Sequence, residues 1–357
     1  MADMGNGKNK VRKSSFELLR ILAMLMIVAD HYVLQNGVKV SDIQGGASAI
    51  DSFVLYSFFL IPGKIGVAIF FGLTVWFLAS RDLSLKYSIK KVFKLEKEVF
   101  FYSIVFLVIN EVSERSISLT GIIKSVFPLI TGEYWFVTAY AISILFIPYL
   151  NLLINKLDEK RHQYLVIFAL FLSTFGVLFP DAYAMKDCFV PLLLEYIVIS
   201  YIRLHMRIND RQLLVRIVFP ISVVLLLVYE AVAIGMARGC HIPLFENIRI
   251  ITLPVQNSST IFALGCAIPL ILIFENFSFQ SRFINTVSSC MFGVYLIHCN
   301  PFIEKILFED WFLIGRCKPV LISSLIAVLI IFVTCALIDY VRKILFRFTF
   351  DKVSLPL

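Results

Sequence analysis

The sequence predicts an all-α, polytopic membrane protein of ten transmembrane helices with both termini in the cytoplasm. Three observations carry that expectation. Of 357 residues, 59% are hydrophobic and 16% charged, where a soluble chain would hold roughly 45–50% and about 25%. The apolar residues, 34 Phe among them, fall in runs near the length of about 20 residues that crosses a hydrocarbon core. Lysine and arginine gather in alternate connections between those runs, the asymmetry that sets orientation in a bilayer. The mean hydropathy of +0.86 agrees.

In chain order the runs are 15–36, 64–80, 95–112, 134–154, 163–179, 188–204, 214–234, 250–274, 289–308 and 319–339. With the N-terminus inside, the inner connections hold 22 Lys and Arg and the outer segments 10. An even number of spans also returns the basic stretch DYVRKILFRF to the inner side. Residues 1–14 read as a basic cytoplasmic head, 15–341 as a single transmembrane domain and 342–357 as a basic cytoplasmic tail. The head leads into a full-length span with no small-residue cleavage site, so no cleavable signal peptide is expected. The outer stretches 37–63 and 113–133 contain DSFVLYSFFLIPG and LTGIIKSVFPLITG, which are too short to span and too apolar to float freely. They read either as re-entrant pieces capping an outer cavity or as segments resting on lipid headgroups.

The net charge of +8 does not point to nucleic acid, because the basic residues sit in short loops rather than on one binding face. The seven cysteines form no CxxC pair and do not alternate with histidine at metal-ligand spacing, so no zinc site is expected. Cys188, Cys266, Cys290, Cys299 and Cys335 lie in or near apolar runs, where cysteine behaves as a small hydrophobe. Cys240 and Cys317 fall in predicted outer loops, either paired or as two free thiols.

The first span, FELLRILAMLMIVADHY, carries Glu17, Arg20, Asp30 and His31. Eleven residues of α-helix turn through about 1,100°, about 20° past three full turns, and rise about 16 Å. Arg20 and His31 therefore share a face, with Met24 and Ile27 between them and Glu17 one turn below. Ionisable groups at such depth are costly and usually face a bundle interior or a water-filled cavity. A guanidinium near the inner surface and an imidazole deeper in the bilayer suit an extended ligand with an anionic head and a reactive tail, the shape of acyl-coenzyme A. A positive-inside anchor at Arg20 and a core-bonded His31 are the plainer alternatives. Glu195, Glu230, His298 and Asn300 also fall inside spans, whereas His162, His205 and His241 fall in predicted loops.

R-x10-H in the first span resembles the signature of the acyltransferase-3 family of integral membrane acyltransferases. GKIGVAIFFGLTVWFL (63–78), SIKKVFKLEKEVFFYS (88–103), YWFVTAYAISILFIPYLN (134–151) and SSCMFGVYLIHCNPFI (288–303) are similar to further segments of that family, in the same order. The chain departs from the pattern at Ala68, where an acidic residue is usual, and at Thr74-Val75 in place of Ser-Gly. The family's R-x-x-R element is Lys91-x-x-Lys94 here. Lysine is a point charge and does not grip phosphate bidentately.

The resemblance implies an O-acyltransferase of the cytoplasmic membrane. It would move an acyl group, most often acetyl, from cytoplasmic acyl-CoA to a hydroxyl of a cell-surface polysaccharide or glycan precursor, with no permanently bound cofactor. His31 is then the expected general base. Arg20, Lys90, Lys91 and Lys94 would bind the coenzyme, with Glu17 holding the Arg20 guanidinium at i,i+3. His298 would form a wall of the acceptor site, a core hydrogen bond being the plainer alternative, while Trp135 reads as a lipid anchor at an outer span start or, with Glu133 beside it, as a contact to the acceptor. Asp30 lies about 100° round the helix from His31 and is a poor orienter for it. A transporter or glycan exporter using Glu195, Glu230 and His298 is the rival class, although no paired interrupted helices of the transporter kind are visible.

Overall fold

A computed structural model of the chain describes residues 13–36, 49–113, 118–179, 188–239, 250, 252–314 and 319–349, and every regular element among them is helical. Cys240, His241 and Cys317 lie outside the described residues. Helix α1 (Ser14–Gln35) is followed by α2 (Ala49–Val54), which passes through a π-helical turn into α3 (Pro62–Leu78). Next come α4 (Leu85–Val112), the short α5 (Leu119–Val126) and α6 (Pro128–Thr131), and α7 (Trp135–Ile154). Helices α8 (Glu159–Gly176) and α9 (Phe189–Leu204) pair. Then α10 (Ile208–Leu213) continues through a second π turn into α11 (Phe219–Gly239). The chain ends with α12 (Ile261–Glu275), α13 (Arg282–Ser289), α14 (Met291–His298), α15 (Pro301–Glu304) and α16 (Val320–Thr349).

Among the described residues, four helical stretches are long and apolar enough to cross a membrane: Ile50–Leu78, Trp135–Ile154, Ile208–Met236 and Val320–Arg347. Helix α1 has the length but carries Glu17, Arg20 and Asp30, and α4 and α8 open with charged turns.

Several boundaries differ from the sequence reading. DSFVLYSFFLIPG is no separate cap; it is the start of the stretch Ile50–Leu78. Pro62 lacks an N–H and would end an ordinary helix. The π turn Leu55–Leu60 ahead of it, with Ile61 N donating to the Tyr56 carbonyl at 2.9 Å, carries the backbone past it. The run at 95–112 begins at Leu85, so Lys90, Lys91 and Lys94 lie on a helix, because lysine is a good helix former and Ser84 caps the new start. Within the run at 250–274 a 3₁₀ turn, Leu253–Val255, comes first, and α12 starts after Thr260, which caps it. Residues 342–349, read as part of a tail, continue α16. His162 stands in the first turn of α8, wholly buried, bonded at 3.1 Å to the Ile197 carbonyl.

The run at 289–308 is broken, and this break shapes the site. Asn300 leaves the helix, its Oδ1 accepts from Phe302 N at 3.1 Å, and Pro301 opens α15. Asn as N-cap followed by Pro at the first helical position is a strong start signal. Helix α14 must therefore end at His298.

Helix α1 is the hub of the bundle, packing on α3, α13, α14 and α16. Against α3 the approach is close: a Cβ on Gly63 would lie 2.3 Å from the Asp30 Cβ, and one on Gly66 would lie 2.6 Å from the Ala23 carbonyl oxygen. Phe16 meets Phe77 edge-on at 5.0 Å at the other end of the pair, so the two helices are antiparallel. The partner on the other side is parallel. Ser14 Oγ donates to Asn285 Oδ1 at 2.9 Å and accepts from Ser281 N at 2.8 Å. Ser288 Oγ donates to Glu17 Oε2 at 2.5 Å, and His31 meets His298 at 3.0 Å. These pairs keep a sequence offset of 267 to 271 throughout.

A buried ion network ties α16 to α4 and α14. Asp339 Oδ1 accepts from Tyr102 Oη at 2.8 Å and Arg342 Nε at 2.7 Å, while Arg342 Nη2 reaches Glu98 at 2.7 Å. Lys343 lies 3.4 Å from Asp339 Oδ2 and donates to the Ser289 carbonyl. A Cβ on Gly293 would strike the Asp339 carboxylate, so glycine there lets α14 and α16 close.

Three stability outcomes follow. Gly63→Ala and Gly66→Ala should each cost about 1–3 kcal/mol through overpacking and lower the melting midpoint of the detergent-solubilised protein. Gly235→Ala, with no atom within 4 Å of the added Cβ, should leave it unchanged or raise it, since alanine is the better helix former. Asp339→Ala removes the shared acceptor of Tyr102 and Arg342 and should cost about 1.5–3 kcal/mol, read by the same melt.

Candidate active site

The four polar groups of α1 separate into two places. Near its start, Arg20 Nη1 donates to Glu17 Oε2 at 2.5 Å, and the same oxygen accepts from Ser288. Glu17 is buried, whereas the Arg20 side chain stays 26% exposed, so among the described residues Glu17 holds one edge of the guanidinium. Lys90 and Lys94 are exposed and Lys91 half-buried on the first turns of α4, which packs mainly on α7 rather than α1. They lie at the same end of the bundle as Arg20, because α3 delivers the chain there through the Phe16–Phe77 contact.

Three turns on, α1 presents His31 to the end of α14. His31 Nδ1 lies 3.0 Å from His298 Nε2, and His298 Nδ1 lies 2.6 Å from the Val294 carbonyl. A carbonyl only accepts, so His298 Nδ1 carries a proton, and in the neutral ring its Nε2 is the acceptor. His31 Nδ1 then donates, and the unprotonated nitrogen of His31 is Nε2. Asp30 Oδ2 stands 4.0 Å from that atom, too far for a hydrogen bond.

Met24 and Ile27 fill the face between the two sites and are almost fully buried. Cys299 follows His298 at the break, and its Sγ lies 3.1 Å from His31 Nδ1 and 3.4 Å from His298 Nε2. Its apolar sequence context predicts a small hydrophobe; in the fold it is a polar neighbour of both rings. Nothing local signals this, since the partner is 268 residues away.

The remaining candidates gather around the same end. Tyr134 Oη accepts from Asn300 Nδ2 at 2.9 Å, which joins the start of α7 to the break after α14. Lys64 places its ammonium 4.7 Å from the Trp135 ring centroid, so one face of that ring is occupied. Glu133 lies 3.8 Å from the Lys124 ammonium; burial pushes its carboxyl up and Lys124 opposes the shift. Glu195 and Glu230 are buried elsewhere, Glu195 between α9 and Gly72 of α3, and neither meets the histidines. A largely apolar cavity lined by Phe175, Leu226, Tyr229 and Phe262 also contains none of the site residues.

A paired imidazole with one lone pair directed away from its partner is equipped to take a proton from a hydroxyl or thiol. No curated protein and no solved structure gave a match to the chain. The family model for the acyltransferase domain of the acyltransferase-3 family matches residues 13–340, nearly the whole chain, from the residue before α1 into α16. That span takes in both ends of α1 and the α14 break, and it sets the class as group transfer rather than transport. The chain belongs to the acyltransferase-3 family and is a membrane acyltransferase.

Proposed function

We propose that the protein transfers an acyl group, acetyl above all, from cytoplasmic acyl-CoA to a hydroxyl of an extracytoplasmic cell-surface polysaccharide or glycan precursor, with His31 as general base. The observation that carries this reading is the directed chain from the Val294 carbonyl through His298 to His31. It leaves His31 Nε2 as the acceptor of a substrate proton. As His31 Nε2 takes that proton, the acceptor oxygen attacks the thioester carbonyl. Collapse of the tetrahedral adduct breaks the C–S bond, and the imidazolium returns the proton to the departing thiolate. His298 holds the ring and its tautomer throughout, and it accepts a hydrogen bond that strengthens as His31 becomes positive.

The donor's anionic end is assigned to Arg20, with Lys90, Lys91 and Lys94 meeting the outer phosphates. The rise of about 16 Å from Arg20 to His31 suits an extended pantetheine arm. Glu133 and Trp135, beside the histidines through Tyr134 and Asn300, are assigned to the acceptor. The basic-residue asymmetry supports ten spans with both termini in the cytoplasm, which sets Arg20 on the coenzyme side of the cytoplasmic membrane. Residues 15–341 then form one catalytic domain.

His31→Ala should lower transfer by about 10²–10⁴-fold, and His298→Phe by a comparable factor. The double variant should be no worse than either alone, as for residues acting as one unit. The readout is glycan-bound ester by mass spectrometry from cells with equal membrane levels of each variant. Ester persisting at wild-type level in His31→Ala would remove the base assignment. Arg20→Lys should raise the KM for acyl-CoA in membrane vesicles by roughly tenfold, the worth of one charge-assisted hydrogen bond, with kcat little changed. An unchanged KM would separate Arg20 from the coenzyme.

A further inference from the structure

We propose that His31, His298 and Cys299 form a binding site for a borderline or soft divalent cation, Zn²⁺ or Cd²⁺, and that its occupation switches the transfer off. Three ligand atoms converge: His31 Nδ1, His298 Nε2 and Cys299 Sγ are separated by 3.0, 3.1 and 3.4 Å. Tetrahedral Zn²⁺ bonds nitrogen at about 2.0–2.1 Å and thiolate at about 2.3 Å, which places ligand atoms roughly 3.3–3.6 Å apart by the same geometry. The triad needs to open by only a few tenths of an ångström, within side-chain adjustment.

The surroundings have the features of a ligating set. His298 donates its other ring N–H to the Val294 carbonyl, the outer-shell contact that fixes tautomer and orientation in metal-bound histidines. Consecutive residues on a regular helix point about 100° apart. The end of α14 at His298, enforced by Asn300 and Pro301, lets His298 and Cys299 aim at one point. The side chain of His31 remains 17% exposed, and water would supply the fourth ligand of a site with three protein ligands. One sulfur and two imidazoles favour zinc-like cations over magnesium or calcium, which require oxygen ligands.

Binding releases the Cys299 thiol proton and places the metal on the His31 Nδ1 lone pair. The ring proton of neutral His31 must then sit on Nε2, the atom that has to accept the substrate's proton. The base is extinguished without leaving its place. This inhibitory half rests on His31 as general base; the binding half does not.

The test is titration of the purified, detergent-solubilised protein with Cd²⁺, read by the ultraviolet cadmium–thiolate charge-transfer band. The expected result is one equivalent bound, the band lost in Cys299→Ser, and affinity lowered about tenfold or more in His298→Gln, each variant eluting as the same species in size exclusion. No band in the wild type, or a band and affinity unchanged in Cys299→Ser, overturns the site. In the second arm, Zn²⁺ is added during transfer and removed with a chelator, and activity should fall and recover in step with occupancy. Full occupancy without inhibition overturns the switch and counts against His31 Nε2 as the base, while the metal site stands. Absence of binding leaves the base to be judged by His31→Ala alone.

Discussion

The parallel register between α1 and the segment 281–298 is the constraint on which the rest of the structure depends. Four contacts, from Ser14 to His31, hold an offset that varies by no more than one helical turn. Two parallel helices that keep such an offset must rise together, so the distance from Arg20 to His31 is matched step by step by its partner. The Glu17–Ser288 contact thus positions the guanidinium at one end, and the His31–His298 contact aligns the imidazole at the other. Glycines 63 and 66 serve the same end from the opposite side, letting α3 press α1 into place.

The partner helix is broken where the chemistry is. A continuous helix through 289–308 would carry His298, Cys299 and Asn300 round three different directions. Ending α14 at His298 frees Asn300 to bond Tyr134 and turns Cys299 back toward both rings. Non-helical backbone at membrane depth is tolerated where it is buried in protein or lines a cavity. The cap by Asn300 and the Pro301 start satisfy the groups that the break exposes.

Placing charge inside an apolar bundle demands compensation, and the chain supplies it in pairs. Glu17 meets Arg20, and Asp339 meets Tyr102, Arg342 and Lys343. The second network links α4, which carries the basic turns, to α16 and to the segment 289–293 that leads into His298. Its contribution to net stability is modest, since desolvation offsets much of the attraction. Its effect is positional: opposite charges at fixed places admit few alternative registers for α16.

By itself, the sequence determined that this is an all-helical chain rich in membrane-length apolar runs, and that Arg20, His31 and Glu17 share a face of the first. Those features are local: hydropathy acts over about twenty residues and helical phase over a few turns. The family's ordered segments were legible for the same reason. The joining of residues 50–78 into one stretch was not, because a proline normally ends a helix and a π turn leaves no simple pattern. Only the tertiary structure decided that His298 orients His31, that Cys299 lies against both, and that Lys64 covers Trp135. Each of these depends on two helices meeting at a particular depth and rotation. That relation is set by packing across far-separated parts of the chain, to which no local period corresponds.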